Sequence, residues 1–345
     1  MKVPFINITK QSGQNKRQAK SLRQMLAVAG MLALSGSAMA QGAQPVTLDF
    51  AGSTTWLGQA PIMIAIDKGY FKDAGINVKF DSILSSSDRM AALQSGSVAF
   101  SNLGRGAVLA SMARGDKSFY YFGNVDQAPG QEGCFARPGI NSFHDLKGKT
   151  VAANTSAELT LNGLLAQAQM SPKDIQYMEL PPNEMAVALA RHNVDAVCVW
   201  QPFLGQVQAA VPTGKLLGTD MDTATYKKYG TVASADLLII SRKLVNEHPD
   251  VAKKLVAAIY KGVDYLNQSP DDAAKTIAHY FQQPPETVLA EMKKFKYIGG
   301  QDAQQHLVAQ ESQLADMAKE LNDTQKIPSV PDVKAWSNGS ILPKS

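Results

Sequence analysis

Between Val46 and Phe80 the chain passes through strand, polar loop, helix, turn and strand, and that order narrows the possible folds sharply. Val46 to Phe50 alternates apolar and polar residues, the period of two that a half-buried strand requires. Pro61 opens an apolar helix through Ile62, Met63, Ile64, Ala65 and Ile66 that stops at Gly69, with Pro in its first turn and Gly just past its last. Asp73 to Gly75 turns the chain into a second strand, Ile76 to Phe80. A helix between two strands points to parallel pairing with helices on the sheet faces. In such sheets ligand sites lie outside the carboxyl ends of the strands, where the first helical N–H groups have no partner. The loop Gly52 to Gln59, carrying Ser53, Thr54, Thr55 and Trp56, stands in that place. Taken alone, it reads equally well as a ligand wall or as an ordinary helix cap.

The first 40 residues follow another rule. Lys2, Lys10, Lys16, Arg17, Lys20 and Arg23 form a basic leader without an acid, followed by the apolar run Met25 to Leu34 and the small residues Ser35 to Ala40. This is the pattern of a secretory signal, with cleavage expected after Ala40. The apolar run is too short to span a bilayer, which takes roughly 20 residues. No Cys follows the expected cut, so a soluble periplasmic protein without a lipid anchor is expected. The whole chain carries 34 basic and 30 acidic residues; without the six leader cations the balance becomes 28 against 30, a net charge of −2. The basic character therefore belongs to the leader, and a nucleic-acid-binding surface loses its main support. Cys134 and Cys198 are compatible with a disulfide or with two buried thiols.

Downstream, strand, loop and helix keep alternating. Ser85, Ser86, Ser87 and Asp88 precede a short helix, Arg89 to Ser95, closed by Gly96; Val98 to Ser101 reads as a strand running into Asn102. Phe119 to Val125 is a further strand, and the loop from Asp126 to Gly133 breaks the pattern. Glu132 to Arg137 reads as a connecting strand, and from Thr150 the alternation restarts with the loop Asn154, Thr155 and Ser156 and a helix from Glu158 to Gln169. Asp195 to Val199 is a strand delivering Trp200 and Gln201, and Ala235 to Ser241 a returning strand. Ala92-Leu93 before Val98 is echoed by Ala188-Leu189 before Val194, consistent with two lobes of one design. Four helices then follow, from Pro249, Pro270, Pro285 and Ala303, and a tail of that length needs a sheet to cover.

Catalytic constellations are thin. The five histidines lack metal-ligand spacing, and no G-x-S-x-G elbow, P-loop or G-x-G-x-x-G after a strand occurs. No catalytic residue, metal or cofactor is assigned. What does recur at strand ends is a set of hydroxyl and amide loops flanked by Trp56 and Trp200, a shell suited to a small polar or anionic solute. Arg105 reads as a solvent-exposed cation, and Glu158 as a first-turn acid favoured by the helix dipole.

The segments GQAPIMIAIDKGYFKDAGINVKF, MAALQSGSVAFSNLG, FHDLKGKTVAANTSAELTLNGLL, VDAVCVWQPF and LLIISRKLVNEHPDVAKKLVAA resemble, in that order, the periplasmic substrate-binding proteins of ABC transporters for nitrate, sulfonates and taurine. The resemblance implies an α/β, type II periplasmic-binding-protein fold: two α/β lobes joined by two crossovers, with the carboxyl-terminal helices packed on the first lobe. It divides the chain into a signal peptide (1–40), the first part of lobe 1 (41–130), lobe 2 (131–238) and the return to lobe 1 (239–345). It implies a receptor and not an enzyme, acting as a monomer with a small-molecule ligand and a membrane permease as partners and no nucleic acid. The cleft residues it implies are Ser53, Thr54, Thr55 and Trp56, then Asn154, Thr155 and Ser156, then Trp200 and Gln201. Ser85, Ser87 and Asn102 join them from the strand-end loops. Many relatives have an acid where this chain has Gln201, and Glu132 is the candidate to replace it in holding a substrate's amino group. A sulfonate- or taurine-like anion is the expected ligand; the alternatives are a heterocycle such as a pyrimidine precursor, stacked by the two tryptophans, an exported enzyme on the same fold, or a sensor domain.

Overall fold

The first stretch folds as the alternation requires: β1 (Val46–Gly52), a helix over Ala60–Asp67, and β2 (Ile76–Ser82) paired in parallel with β1, Phe50 opposite Phe80. The computed structural model describes residues 45–154, 157–230 and 236–344. Among these follow β3 (Phe100–Gly104), β4 (Phe119–Tyr121), β5 (Asp126–Gln127), β6 (Glu132–Ala136), β7 (Thr150–Ala153) and β8 (Gln176–Glu179). The last four strands are β9 (Ala196–Trp200), β10 (Lys215–Thr219), β11 (Asp236–Ser241) and β12 (Lys296–Tyr297). The signal segment and its expected cut lie outside the described residues.

Two five-stranded sheets result, ordered β2-β1-β3-β11-β4 and β10-β6-β9-β7-β8, with a small ladder of β5 and β12 beside them. Both sheets share one plan. Three parallel strands are followed by an antiparallel strand that arrives on a crossing: β11 against β3, and β6 against β9. The echo of Ala92-Leu93 in Ala188-Leu189 marks equivalent places, since these pairs lie in the helices that feed β3 and β9. β6 is buried along its whole length, as a strand covered on both faces must be. Cys134 on β6 stands opposite Cys198 on β9 and is joined to it by a disulfide, which settles the open alternative.

The helices Pro249–Gln268, Pro270–Phe281 and Pro285–Met292 each begin with Pro in the first turn, where its missing N–H costs nothing. Their apolar stripes cover the first sheet: Leu255, Val256, Ile259 and Val263 share one core with Phe50, Phe71 and Phe100. The long helix Ala303–Asp323 packs on the helix Arg105–Ala113 of that side and also touches the helix Ala224–Tyr229. Trp336 in the carboxyl-terminal tail is buried, donates its indole N–H to the Asp116 carbonyl, and has the Lys117 ammonium over its ring at 3.5 Å.

Some expectations need correction. Arg105 is not exposed; it is 1% accessible, buried under the helix Ala303–Asp323 with Nη1 donating to Gln313. The helix expected from Arg89 starts at Ser86, because Ser85 caps it and the serines after it take helical conformation. β10 and the helices Phe203–Ala210 and Ala224–Tyr229 were not foreseen. β10 is an edge strand with a register shift between Leu216 and Gly218, so it lacks clean alternation, and the two helices are too short to establish a period.

Candidate functional site

The loop after β1 is held by its own side chains. Gln59, fully buried, accepts the Ser53 N–H at 2.9 Å through Oε1, and the Ser53 and Thr55 hydroxyls share a hydrogen bond of 2.8 Å. This knot directs Trp56 against the edge of Phe295, with ring centroids 5.0 Å apart. After β2, Ser85 accepts the Asp88 N–H at 3.3 Å and so caps the helix Ser86–Ser95, and that helix's amino end borders the same hollow. After β7, Asn154 accepts the Ala157 N–H at 3.1 Å. Capping and cavity lining therefore occur in the same residues.

These loops meet. Ser53, Thr55, Trp56, Ser85 and Ser87 from the first sheet's side, with Glu132, Asn154 and Trp200 from the second sheet, line one cavity of about 650 Å³. Thr54 and Gln201 line a neighbouring hollow of about 350 Å³ instead; Thr55, Trp56 and Phe203 border both. Asn102 is buried and not on the cavity wall itself; it donates through Nδ2 at 3.0 Å to Oδ2 of Asp236, whose carboxylate is on that wall. Thr155 and Ser156 lie outside the described residues.

Arg89 borders the cavity as well, but its guanidinium is engaged. Nε donates to the Asn102 carbonyl at 3.1 Å, and Nη1 to the carbonyls of Ile83 and Leu84 at 2.7 and 2.9 Å. Nη2 donates to the Ser86 hydroxyl at 3.1 Å. Arg89 thus fixes the strand-to-helix loop after β2 and lends its charge to the cavity from behind. Facing it are carboxyl groups in a poorly hydrated setting. Burial pushes Glu132 up to about 8 and Asp236 up to about 6, the latter opposed by Arg89 and Arg105. Burial also brings Arg105 down to about 10, against the pull of Asp126 and Asp236.

Sequence reasoning missed Arg89, Asp236, Phe203 and the run Glu179 to Asn183, all on the cavity wall. The last of these was within reach. The loop after β8 is the second sheet's counterpart of the Leu84 to Ser87 loop after β2, and the internal echo predicts that both face the cleft. Arg89 reads as a surface helical cation in sequence, and only the register of its helix against β3 turns it inward.

The family described as NMT1/THI5 like matches residues 56–273. A protein of Brucella abortus (strain 2308) named only as a binding protein is 24% identical over 71% of this chain and 75% of its own. The taurine-binding periplasmic protein of Escherichia coli (strain K12) is 24% identical over 59% of this chain and 62% of its own. Among solved structures, the alkanesulfonate-binding protein SsuA of Xanthomonas axonopodis pv. citri, bound to MOPS, superposes with a TM-score of 0.68 at 19% identity, covering 86% of this chain and 99% of that one.

Proposed function

Since the chain belongs to the NMT1/THI5-like family and has the two-lobed α/β periplasmic-binding-protein fold, we propose that it is a periplasmic receptor of an ABC importer that captures a small sulfonate-like anion between its lobes. The supporting observation is the cavity itself, walled by strand-end loops of both sheets. A ligand there touches both walls at once, so it favours a closed state whose surface a membrane permease can recognise. Lobe 1 comprises residues 41–130 and the chain from β11 onward, a little earlier than the expected boundary at 238/239, lobe 2 the residues between, and the leader 1–40 is removed on export. The anion lies at the amino end of the helix Ser86–Ser95, where the helix dipole and the charge of Arg89 add, with the hydroxyls of Ser53, Thr55 and Ser87 around it. Trp56 and Trp200 cover its carbon part. A receptor has no need of a positioned acid–base pair, and turnover by the purified protein would count for an enzyme instead.

Titration calorimetry with taurine, alkanesulfonates, nitrate and pyrimidines tests the reading. Binding of a sulfonate is expected; tight binding of a pyrimidine with no response to any anion would replace it. Trp56→Ala and Trp200→Ala are each expected to weaken sulfonate binding by about 1–3 kcal/mol, the range for a buried aromatic anchor. Unchanged affinity in both variants would mean that the ligand lies elsewhere.

A further inference from the structure

The helix Glu158–Gln167 follows β7 of the second sheet, yet its first turn is built into the first lobe. Leu159, 5% exposed, packs in the core of the first sheet, and among the described residues every other member of that core comes from lobe 1. Leu161, Leu164 and Leu165, further along the same helix, pack in the second sheet's own core. Beside Leu159, Glu158 forms an ion pair with Lys326, whose ammonium also lies over the Tyr177 ring at 4.5 Å. Lys326 is fixed to lobe 1: its N–H donates to the Leu321 carbonyl at 2.8 Å, and Ile327 after it is buried in the first core. The two charged side chains are 15% and 28% exposed, so the pair is partly shielded from the solvent that makes surface pairs worth little.

Neither Glu158, Leu159 nor Lys326 lines the cavity, but the contact is tied to its wall, since the Glu158 N–H donates to the carbonyl of Asn154 at 3.0 Å. A second pairing between the lobes differs in both respects. Lys228 and Tyr229 meet Asp316, Tyr229 Oη at 2.6 Å, just before the chain returns towards β11, and the charged partners are more than half exposed. We propose that Leu159 and Lys326 form a latch between the lobes, Leu159 as its plug and Lys326 as its clamp on Glu158, which positions the Asn154 wall against the first lobe without touching the solute. Drawing the walls apart pulls Leu159 into water and parts the ion pair. The latch therefore raises the population in which both walls face the solute, and apparent affinity scales with that population. This rests on the receptor reading only in that closure captures the solute; the spacing of the lobes is read without one.

The test measures the spacing by pulsed electron resonance between spin labels at Lys79→Cys on β2 and Glu184→Cys in the helix Pro182–Ala190, both exposed, and affinity by calorimetry with ethanesulfonate. Leu159→Ala is expected to lengthen and broaden the distance and to weaken ethanesulfonate about tenfold, the scale of one leucine side chain taken out of water. Lys326→Met, which keeps an unbranched side chain beside Tyr177, and Glu158→Gln are each expected to weaken it about threefold. The two together do no more than either alone, because they break one contact. Lys326 is partly exposed, so its variant carries the test should Leu159→Ala fail to fold. Affinity unchanged in these variants, or lost at unchanged distances, overturns the latch. Shorter distances with tighter binding also overturn it, since the contact would then hold the walls apart. Should ethanesulfonate bind neither the wild type nor the variants, the distances alone decide: longer ones in the variants uphold the latch while the anion receptor falls, and unchanged ones overturn it.

Discussion

Replacing Cys134 and Cys198 together by alanine lowers the unfolding free energy by about 4 kcal/mol, the chain-entropy value for a bridge closing a long loop. The two residues are 64 apart in sequence, and their bond spans β7, β8 and the helices between them before returning to β9. Opening it frees that whole segment in the unfolded state, while the folded state loses only two small buried sulfur atoms. Against the 5–15 kcal/mol typical of a folded domain, the loss is large. Equilibrium urea unfolding measures it, on the wild type with and without reductant and on the double variant. A common midpoint for all three would show that the bridge does not form or contributes nothing. The bond also sits two residues from the facing pair Glu132 and Trp200, both on the cavity wall, so it secures the register on which that wall depends.

The βαβ order was legible because each of its signals is local: alternation in Val46 to Phe50, Pro61 and Gly69 at the ends of a helix, and a turn before Ile76. The C-terminal helices were legible for the same reason. The site was legible only in part, because a cavity wall is made by register and crossing, which no local pattern carries. Ser53, Thr55, Trp56, Ser85, Ser87, Asn154 and Trp200 stood out as polar or aromatic residues at strand ends, and they do meet. Thr54 and Gln201 share those loops, yet they line the neighbouring hollow, because both stand in turns, where no period of two fixes the direction of a side chain. Arg105 was misread since an arginine in a first turn ordinarily faces water, and only the distant helix Ala303–Asp323 buries it. Asp236 and Arg89 needed the pairing of β11 and the packing of a helix against β3, contacts more than a hundred residues apart for the first and thirteen for the second.

Gly262→Ala is expected to cost about 3 kcal/mol or more, at the upper end of overpacking penalties. Gly262 lies inside the helix Pro249–Gln268, where alanine would ordinarily gain up to about 1 kcal/mol over glycine, so a loss can only be steric. The helix Ala60–Asp67 crosses it so closely that an added Cβ would fall on the Pro61 carbonyl oxygen and lie 3.0 Å from its carbon. That obstacle is backbone and cannot rotate aside, so the two helices must separate and open a core that holds Ile62, Ile259 and Val263. Gly205→Ala provides the contrast. It lies in the helix Phe203–Ala210, and its Cβ would meet only the end of the Gln201 side chain at 3.1 Å, so the helix-propensity gain should survive. Thermal unfolding of both variants, with calorimetry on the same samples, separates the two outcomes; equal Tm values would remove the close approach as a constraint. Because the loop Ser53 to Gln59 runs straight into the displaced helix, Gly262→Ala should also weaken ligand binding at temperatures where it is still folded. A glycine whose neighbours are all core would then limit affinity at a cleft it does not touch, through the one helix that carries both the Pro61 carbonyl and the end of the binding loop.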